Sequence, residues 1–276
     1  MNTPTLQQLL EAGVHFGHQV RRVNPRMKQY IFGAREGVHI IDLTIAEKKL
    51  KEAFDYLYTL GKAGGVLLVV DSKKQAKPIV EEWGRKLKIP YVSNRWIGGT
   101  FTNLDEMNKN IKKLKELKAQ QQKGELSKYT KKEQLLIARK IGKMEKNFGG
   151  VLDMATIPEA IFIIDTVIED IAIKESLKKE IKIVAITDTN SDPLVIDYPI
   201  PGNDDAIKSV KILTDTALIA YEEGLKQADK DALAKKQKEE TLALKEEEDL
   251  AKVEDEILKA EEQLEKEAVK ESERVV

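Results

Sequence analysis

The sequence predicts an α/β fold in which a mainly parallel sheet carries helices on both faces. Short apolar runs rich in β-branched residues alternate along the chain with longer segments whose apolar residues recur every three or four positions. Runs such as 66–70 contain no polar residue, which is typical of strands that are buried on both faces. Apolar residues make up 41% of the 276 residues, enough to fill a sizeable core.

The individual elements follow from the same patterns. Leu43 begins a helical apolar repeat that continues to just before Gly61. Asn203 is the predicted N-cap of a later helix, and Asp204 and Asp205 would favour the dipole of its first turn. The predicted elements are a helix over 5–13, a strand over 38–43, a helix over 43–60, a strand over 66–70, a helix over 78–87, a strand at 91–92, a strand over 160–164, a helix over 167–179, a strand over 181–187 and a helix over 204–224.

A segment over 104–146 interrupts this alternation and predicts an antiparallel helical hairpin. Apolar residues recur at helical spacing in both of its halves, and a polar stretch around Gly124 separates them. The α/β domain is therefore expected to comprise 1–103 and 147–228. The predicted apolar seam of the hairpin consists of Leu104, Met107, Ile111, Leu114, Leu117, Ile137, Ile141, Met144 and Phe148.

Basic charge is concentrated in two places. Residues 109–146 contain 13 basic and 4 acidic residues, and residues 18–35 contain five basic residues and no acid. One such run is commonly just a solvated face, but two favour a nucleic-acid-binding protein. The expected RNA contacts are Arg21, Arg22, Arg26 and Lys28 in the first run and Lys109, Lys112, Lys113, Lys131, Lys132, Arg139, Lys140, Lys143 and Lys146 in the hairpin.

The last segment, 229–276, is predicted to be a charged, acidic tail, either helical or disordered. It has 17 acidic and 10 basic residues and lacks glycine and proline. A thin apolar stripe is formed by Leu250, Val253, Ile257 and Leu264. Because the net charge of this segment has the sign of RNA, we expect it to project into solvent and bind a basic protein, or to act as a solubilising extension.

Three further features carry candidate chemistry. The segment Asn94-Arg95-Trp96-Ile97-Gly98-Gly99-Thr100 combines a guanidinium, an indole, a hydroxyl and a glycine pair, which suit phosphate and stacking contacts with RNA. Trp96 alternatively belongs to the core. The second and third features are the His15/His18 pair and the acids that follow the last predicted strand. They suggest an optional zinc ion bound by His18 with Asp188, Asp204 or Asp205, although the same acids also suit caps and turns.

Signatures of enzymes are absent from the sequence. No Walker A motif, dinucleotide-binding glycine motif, nucleophile elbow or H-E-x-x-H occurs. We therefore expect no catalysis, no small-molecule substrate and no required cofactor. An α/β nucleotide-binding enzyme and an adaptor that recruits a partner through its helices remain the alternatives.

Six sequence blocks in order resemble the bacterial small-subunit ribosomal protein S-two family over about residues 5–226. The blocks are EAGVHFGHQ at 11–19 with Arg21-Arg22 and Asn24-Pro25, YIFG at 30–33, NRWIGGT at 94–100, EKNFGG at 145–150, TDTN at 187–190 and DYPIPGNDDA at 197–206. Any one block is weak, whereas six in the family's order are very specific.

The resemblance implies a Rossmann/flavodoxin-like α/β domain with an inserted antiparallel coiled-coil hairpin. It implies a structural constituent of the small ribosomal subunit that contacts small-subunit ribosomal RNA, is incorporated late and helps to dock the large OB-repeat ribosomal protein that captures messenger RNA. The loop after the 66–70 strand adds Lys73 and Lys74 to the expected RNA contacts.

Some positions depart from the family pattern. Val23 replaces a usual tryptophan, Asp71-Ser72 replaces a usual Gly-Thr pair, and Ser191 and Leu194 alter the loop after Asp188. These changes put a stacking contact and a phosphate approach in doubt. With no cysteine, no secretory signal pattern and no apolar run of membrane-spanning length, the chain is expected in the cytoplasm, on the ribosome.

Overall fold

A computed structural model describes residues 3–154 and 156–234, and the part up to Lys226 forms one compact unit. Its strands are β1 (Phe16–Gln19), β2 (Ile31–Arg35), β3 (Val38–Ile41), β4 (Leu67–Val70), β5 (Tyr91–Val92), β6 (Ala160–Ile163), β7 (Lys182–Thr187) and β8 (Tyr198–Pro201). Its helices are α1 (Leu6–Glu11), α2 (Leu43–Lys62), α3 (Lys77–Leu87), α4 (Leu104–Gln122), α5 (Lys131–Phe148), α6 (Asp170–Lys178) and α7, over 207–226. In the second unit residues 227–234 are helical, and the rest of the predicted tail, 235–276, lies outside the described residues.

Five strands form the central sheet in the order β5-β4-β6-β7-β8, and every neighbouring pair is parallel. β4 lies between β5 and β6, with Val70 opposite Val92 on one side and Ile163 on the other. Counted from β4, this is the 2-1-3-4-5 strand order of flavodoxin-like sheets. The predicted parallel sheet is confirmed. β8 was not predicted, since Pro199 and Pro201 argue against a strand, but at an edge of the sheet their missing N–H groups are tolerated.

Neighbouring residues of each central strand face opposite sides of the sheet. In β4, Leu67 and Val69 pack in an apolar layer with α1, α2, α3 and α7, whereas Leu68 and Val70 pack in a second layer with α4, α5 and α6. All four side chains are fully buried. The period-two alternation of a strand thus places apolar residues on both faces, and the predicted helices on both faces are confirmed.

The two predicted hairpin helices are present as α4 and α5, and they contact each other. Their apolar residues nearest the sheet, such as Ile111 of α4 and Ile141 of α5, are buried in the same cluster as the strand residues of the second layer. Leu117 and Ile137, nearer the connecting turn, are only partly buried. The inner halves of both helices therefore belong to the core of the sheet.

Residues 16–41 contain a small antiparallel sheet of three strands in the order β1-β3-β2. Of these strands only β3 was predicted. Glu36 and Gly37 join β2 to β3 with φ angles of 52° and 77°, which is the two-residue turn of a tight hairpin. A glutamate is unusual at positive φ, so the sequence lacks the common Asn-Gly or Asp-Gly signal of such a turn.

The sequence suggested that Gly61 lies beyond the end of α2, but the glycine lies inside the helix. A Cβ atom at Gly61 would lie 2.4 Å from the carbonyl oxygen of Tyr221 in α7. A Cβ atom at Gly224 of α7 would lie 2.3 Å from the carbonyl oxygen of Tyr58 in α2. The two helices cross with their backbones in contact, which explains a glycine at both positions.

The predicted start of the last helix was wrong. α7 begins at residue 207, because the side-chain oxygen of Asn203 accepts the N–H groups of Asp205 at 2.8 Å and Ala206 at 3.0 Å and closes a turn before the helix. Asp204 and Asp205 are therefore outside its first turn. α6 likewise begins later than predicted, at Asp170. None of the helices in the described ranges combines the length and the apolar character that a membrane span requires.

Candidate nucleic-acid interface and carboxylate cluster

The carboxyl ends of the parallel strands bring together acids from four loops. Asp71 follows β4, Asp165 follows β6, Asp188 follows β7, and Asp204 lies just after β8. All four are buried. β4 and β6 are the strands at which the chain order reverses, where ligands of such sheets commonly bind. We call this group, with Asp205, Lys73 and His18, the carboxylate cluster.

Lys73, a predicted RNA contact, lies in the centre of this cluster. Its Nζ atom is 2.7 Å from Asp165, 2.9 Å from Asp204 and 2.8 Å from Asp205. Burial alone would lower the pKa of this ammonium, but the carboxylates of Asp204, Asp165 and Asp205 raise it well above its usual range. The charge of Lys73 is therefore neutralised by the protein's own acids. Its neighbour Lys74 is exposed.

Burial disfavours the charged form of two acids of the cluster and raises their pKa. Burial raises the pKa of Asp71 to about 7, with smaller contributions from Asp165 and Glu169. Burial, followed by the charges of Asp188 and Asp165, raises the pKa of Asp204 to about 7 as well. One carboxylate oxygen of Asp71 and one of Asp204 is buried without a hydrogen-bond partner among the described residues. A cation or a proton would stabilise both groups.

His18 extends from β1 to the edge of the cluster. Its Nδ1 atom is 3.1 Å from Asp188 and its Nε2 atom is 3.6 Å from Asp205. The Asp188 carboxylate raises the pKa of His18 above its ordinary value, against the opposing effect of burial. The backbone N–H of His18 donates to Thr189 Oγ1 at 2.8 Å, which fixes the histidine beside the loop after β7.

These residues fit the donor set of a divalent cation. Ligand atoms of His18, Asp188 and Asp204 all lie within 4.8 Å of one another. Oδ2 of Asp204 is buried without a hydrogen-bond partner among the described residues, and Nδ1 of His18 is buried against the Asp188 carboxylate. Nitrogen and carboxylate oxygen together suit zinc. The structure thus brings together three of the four predicted ligands, with Asp205 alongside His18.

The segment over 94–102 is held by an acid that the sequence did not single out. Glu175 of α6 accepts hydrogen bonds from the backbone N–H groups of Gly99 at 2.6 Å, Phe101 at 2.9 Å and Thr102 at 3.2 Å. Burial would raise the pKa of Glu175, but these N–H donors hold it below its usual value. Glu175 therefore fixes the conformation of the whole loop.

Of the four RNA contacts predicted in this loop, two are buried and two are exposed. Trp96 is buried, its Nε1 atom is 3.4 Å from Glu175, and its ring meets that of Phe101 edge to face at 5.0 Å. Its indole thus packs in the core, the alternative that the sequence had left open. Thr100 is also buried, and its hydroxyl donates to the Ile97 carbonyl. Asn94 and Arg95 are exposed.

The first basic run contacts the loop after β7, which follows Asp188 of the cluster. Arg21, Arg22, Arg26 and Lys28 are exposed. Arg26 forms an ion pair with Asp192 in the loop after β7. The backbone N–H of Asn24 donates to the Thr189 carbonyl at 2.8 Å, so this run is anchored to the loop that contacts His18.

The hairpin carries the larger set of cations. Those predicted to bind RNA are exposed on both helices: Lys109, Lys112, Lys113, Lys131, Lys132, Arg139, Lys140, Lys143 and Lys146. Asn94 Nδ2 and Asn147 Oδ1 lie 3.4 Å apart, so the loop over 94–102 adjoins the end of α5. The exposed Asn94 of this loop therefore lies beside the end of α5 that carries Lys146.

The sequence missed Asp71, Asp165 and Glu175 as members of the sites. Asp71 and Asp165 stand directly after predicted strands, so the rule that identified Asp188 would have identified them too. Glu175 gave no such signal, because its partners are backbone N–H groups more than 70 residues away.

Comparison with known proteins identifies the family of the chain. The family model described as Ribosomal protein S2 matches residues 9–224. The chain is 47% identical to the small ribosomal subunit protein uS2 of Nitratiruptor sp. over 220 residues, which cover 80% of this chain and 82% of the relative. It is 44% identical to the protein of the same description in Mycobacteroides abscessus over 225 residues, 82% of this chain and 81% of the relative.

Proposed function

This chain belongs to the ribosomal protein S2 family, and from that membership we infer that it binds small-subunit ribosomal RNA through its exposed cations. It is a non-enzymatic, structural constituent of the small ribosomal subunit. The observation that carries the RNA-binding proposal is the hairpin, in which 13 basic residues stand against 4 acids over 109–146. Cations in that density bind phosphate and release counterions.

Co-sedimentation tests this proposal directly. The full chain should sediment with purified small subunits in about one copy each and should be released only by high salt, because phosphate contacts weaken steeply as salt rises. A charge-reversed variant, Lys112→Glu/Lys113→Glu/Lys140→Glu/Lys143→Glu, should fold normally and fail to sediment with the subunits. Normal incorporation of this folded variant would contradict the proposal.

Two finer proposals rest on the family resemblance. We propose that the outer parts of α4 and α5 pair as an antiparallel coiled coil, supported by the helical spacing of Leu117 and Ile137 toward the turn.

We also propose late incorporation and a role in docking the OB-repeat protein that captures messenger RNA. Small subunits from cells depleted of this chain should then lack that protein, whereas earlier-assembling proteins should be retained. Its normal occupancy on depleted subunits would exclude the docking role.

We further propose that His18, Asp188 and Asp204, with Asp205 nearby, bind zinc or a similar divalent cation. The convergence of their ligand atoms within 4.8 Å and the unpartnered buried Oδ2 of Asp204 support this proposal. Such an ion would tie β1 to the loops after β7 and β8. Elemental analysis of the purified chain should give about one zinc per molecule, and zinc should raise the unfolding midpoint of the wild type but not of His18→Ala. Absence of both effects would exclude the site.

A further inference from the structure

Three of the five lysines of α4 form ion pairs, whereas Lys112 and Lys113 are exposed and unpaired among the described residues, as all the cations of α5 are. On α4, Lys109 pairs with Glu106 at 3.1 Å, Lys115 with Asp153 at 3.4 Å and Lys118 with Glu145 at 2.5 Å. On α5, no cation forms an ion pair with any residue that the structure describes, and all of them are exposed. They are Lys131, Lys132, Arg139, Lys140, Lys143 and Lys146.

The acids of α5 do not neutralise these cations. Glu133 closes the capping box at the start of the helix, where its carboxylate accepts the backbone N–H and the hydroxyl of Thr130, both at 2.9 Å. Glu145 is engaged by Lys118 of α4. Both acids of α5 are therefore directed to other partners, and the cations are left to solvent or to a ligand.

Four of the α5 cations lie on one stripe. Lys132, Arg139, Lys143 and Lys146 follow one another at spacings of seven, four and three residues, which places them on a single face of the helix. The stripe is about 21 Å long at a rise of about 1.5 Å per residue. Ile141 and Met144, which fall on the opposite side, are buried against the sheet. The packing of α5 therefore presents the stripe to solvent.

The stripe continues onto the loop over 94–102. Asn147, one residue beyond Lys146, meets Asn94 at 3.4 Å. The adjacent Arg95 is exposed and has no ion pair within the described ranges. Because Glu175 fixes the backbone of this loop, Arg95 extends a cationic surface whose geometry exists before any ligand binds.

We propose that the α5 stripe, continued by Arg95, is the surface that binds the phosphate backbone of RNA, whereas Lys109, Lys115 and Lys118 of α4 are paired with acids of the protein itself. This inference rests on the proposed RNA-binding function. Like charges four residues apart, such as Arg139 and Lys143, disfavour a helix, so a row of them favours an anionic ligand. A continuous row of one sign matches the even charge of a nucleic-acid strand.

Two variants with equal loss of charge test the proposal. The α5 variant is Arg139→Gln/Lys143→Gln/Lys146→Gln, and the matched α4 variant is Lys109→Gln/Lys115→Gln/Lys118→Gln. Binding of the full chain to a labelled RNA duplex and to transcribed small-subunit ribosomal RNA is measured across a salt series. The α5 variant should lose roughly 10- to 100-fold in affinity, and its salt slope should fall by about 2 to 3. The α4 variant should bind almost as the wild type does.

The outcomes separate this inference from the proposed function. Equal losses in the two variants, or a larger loss in the α4 variant, would overturn the assignment to α5 and leave RNA binding intact. An α5 variant that binds both RNAs normally but fails to join small subunits would assign the stripe to a protein partner instead. If the wild type shows no salt-dependent RNA binding, the proposed function fails as well. Circular dichroism and urea unfolding confirm that each variant is folded, and Arg139→Lys, which keeps the charge, should retain wild-type affinity.

Discussion

Lys73 in the carboxylate cluster and Lys143 on α5 were both expected to contact RNA, yet their surroundings are opposite. Nζ of Lys73 lies within 3 Å of three carboxylates and its side chain is 12% exposed. Lys143 is exposed and has no such partner among the residues described. The first lysine compensates buried acids, and the second leaves its charge available. Whether a basic residue can serve a ligand therefore depends on the acids that the fold places around it.

The largest effect that this comparison predicts is on stability. Lys73→Met should lower the free energy of unfolding by about 3 kcal/mol, because it leaves buried acids without their cation. Lys143→Met, a matched control on the surface, should change it by no more than about 0.5 kcal/mol. Urea unfolding of the two full-length variants measures both values. A stable Lys73→Met protein with weakened RNA binding would place Lys73 among the RNA contacts after all.

The next effect concerns Glu175, which supports the loop over 94–102 from within. Glu175→Gln should cost about 2 kcal/mol, because an amide cannot replace a carboxylate that accepts several N–H groups. Since the folded protein holds the pKa of Glu175 low, its stabilisation is present above pH about 4.3 and is lost as the pH falls through the lower folded value. Glu145→Gln, which removes an exposed partner of Lys118, should cost well under about 1 kcal/mol. Equal costs would contradict the positioning role of Glu175.

The carboxylate cluster should also show a pH dependence that the α5 surface lacks. The pKa of Asp71 is raised to about 7 by burial, so the folded state binds a proton that the unfolded state releases near pH 4. Stability should therefore fall as the pH rises from about 4 to 7. Asp71→Asn should remove part of this slope. At pH 8 its free energy of unfolding should exceed that of the wild type by about 1 to 2 kcal/mol, as measured by urea unfolding. No difference between the variant and the wild type at pH 5 and 8 would mean that Asp71 ionises without cost.

The smallest expected effect is at the ion pair of Arg26 and Asp192, in the loop after β7. Arg26 is 56% exposed and Asp192 28% exposed, so solvent screens the pair. Arg26→Ala should cost at most about 1 kcal/mol at low salt, and the difference should vanish at high salt. Thermal unfolding at both salt concentrations measures this. A cost that persists at high salt would show that Arg26 acts through packing.

The sequence was sufficient for those features that depend on local apolar pattern. The strands around Val69, Phe162 and Val184 were predicted from continuous apolar runs, and the helix from Leu43 was predicted from apolar residues that recur every three or four positions. The hairpin helices were predicted for the same reason. Asp188 and Asp204 could be grouped because the loops after parallel strands gather at a common edge of the sheet, and His18 was added because imidazole and carboxylate are both zinc ligands.

Other features depend on partners that are distant in the sequence. Trp96 could not be assigned to the core from its segment alone, because its partners Phe101 and Glu175 are brought to it by packing. The role of Lys73 could not be recognised without Asp165 and Asp204, which lie on other loops. β8 was missed because its prolines are acceptable only at the edge of a sheet, and an edge position is a property of the whole fold.

The position of the hairpin between β5 and β6 affects how the chain can fold during synthesis. β4 occupies the interior of the sheet and needs β6, which begins about 90 residues later, to complete its hydrogen bonds. At about 5–20 residues per second, that delay lasts roughly 5 to 20 s. During this interval the basic α4 and α5 are synthesised, while the sheet that they will cover still lacks β6. A nascent chain of this design exposes its cations and its unfinished core at the same time, so early capture by RNA would compete with closure of the sheet.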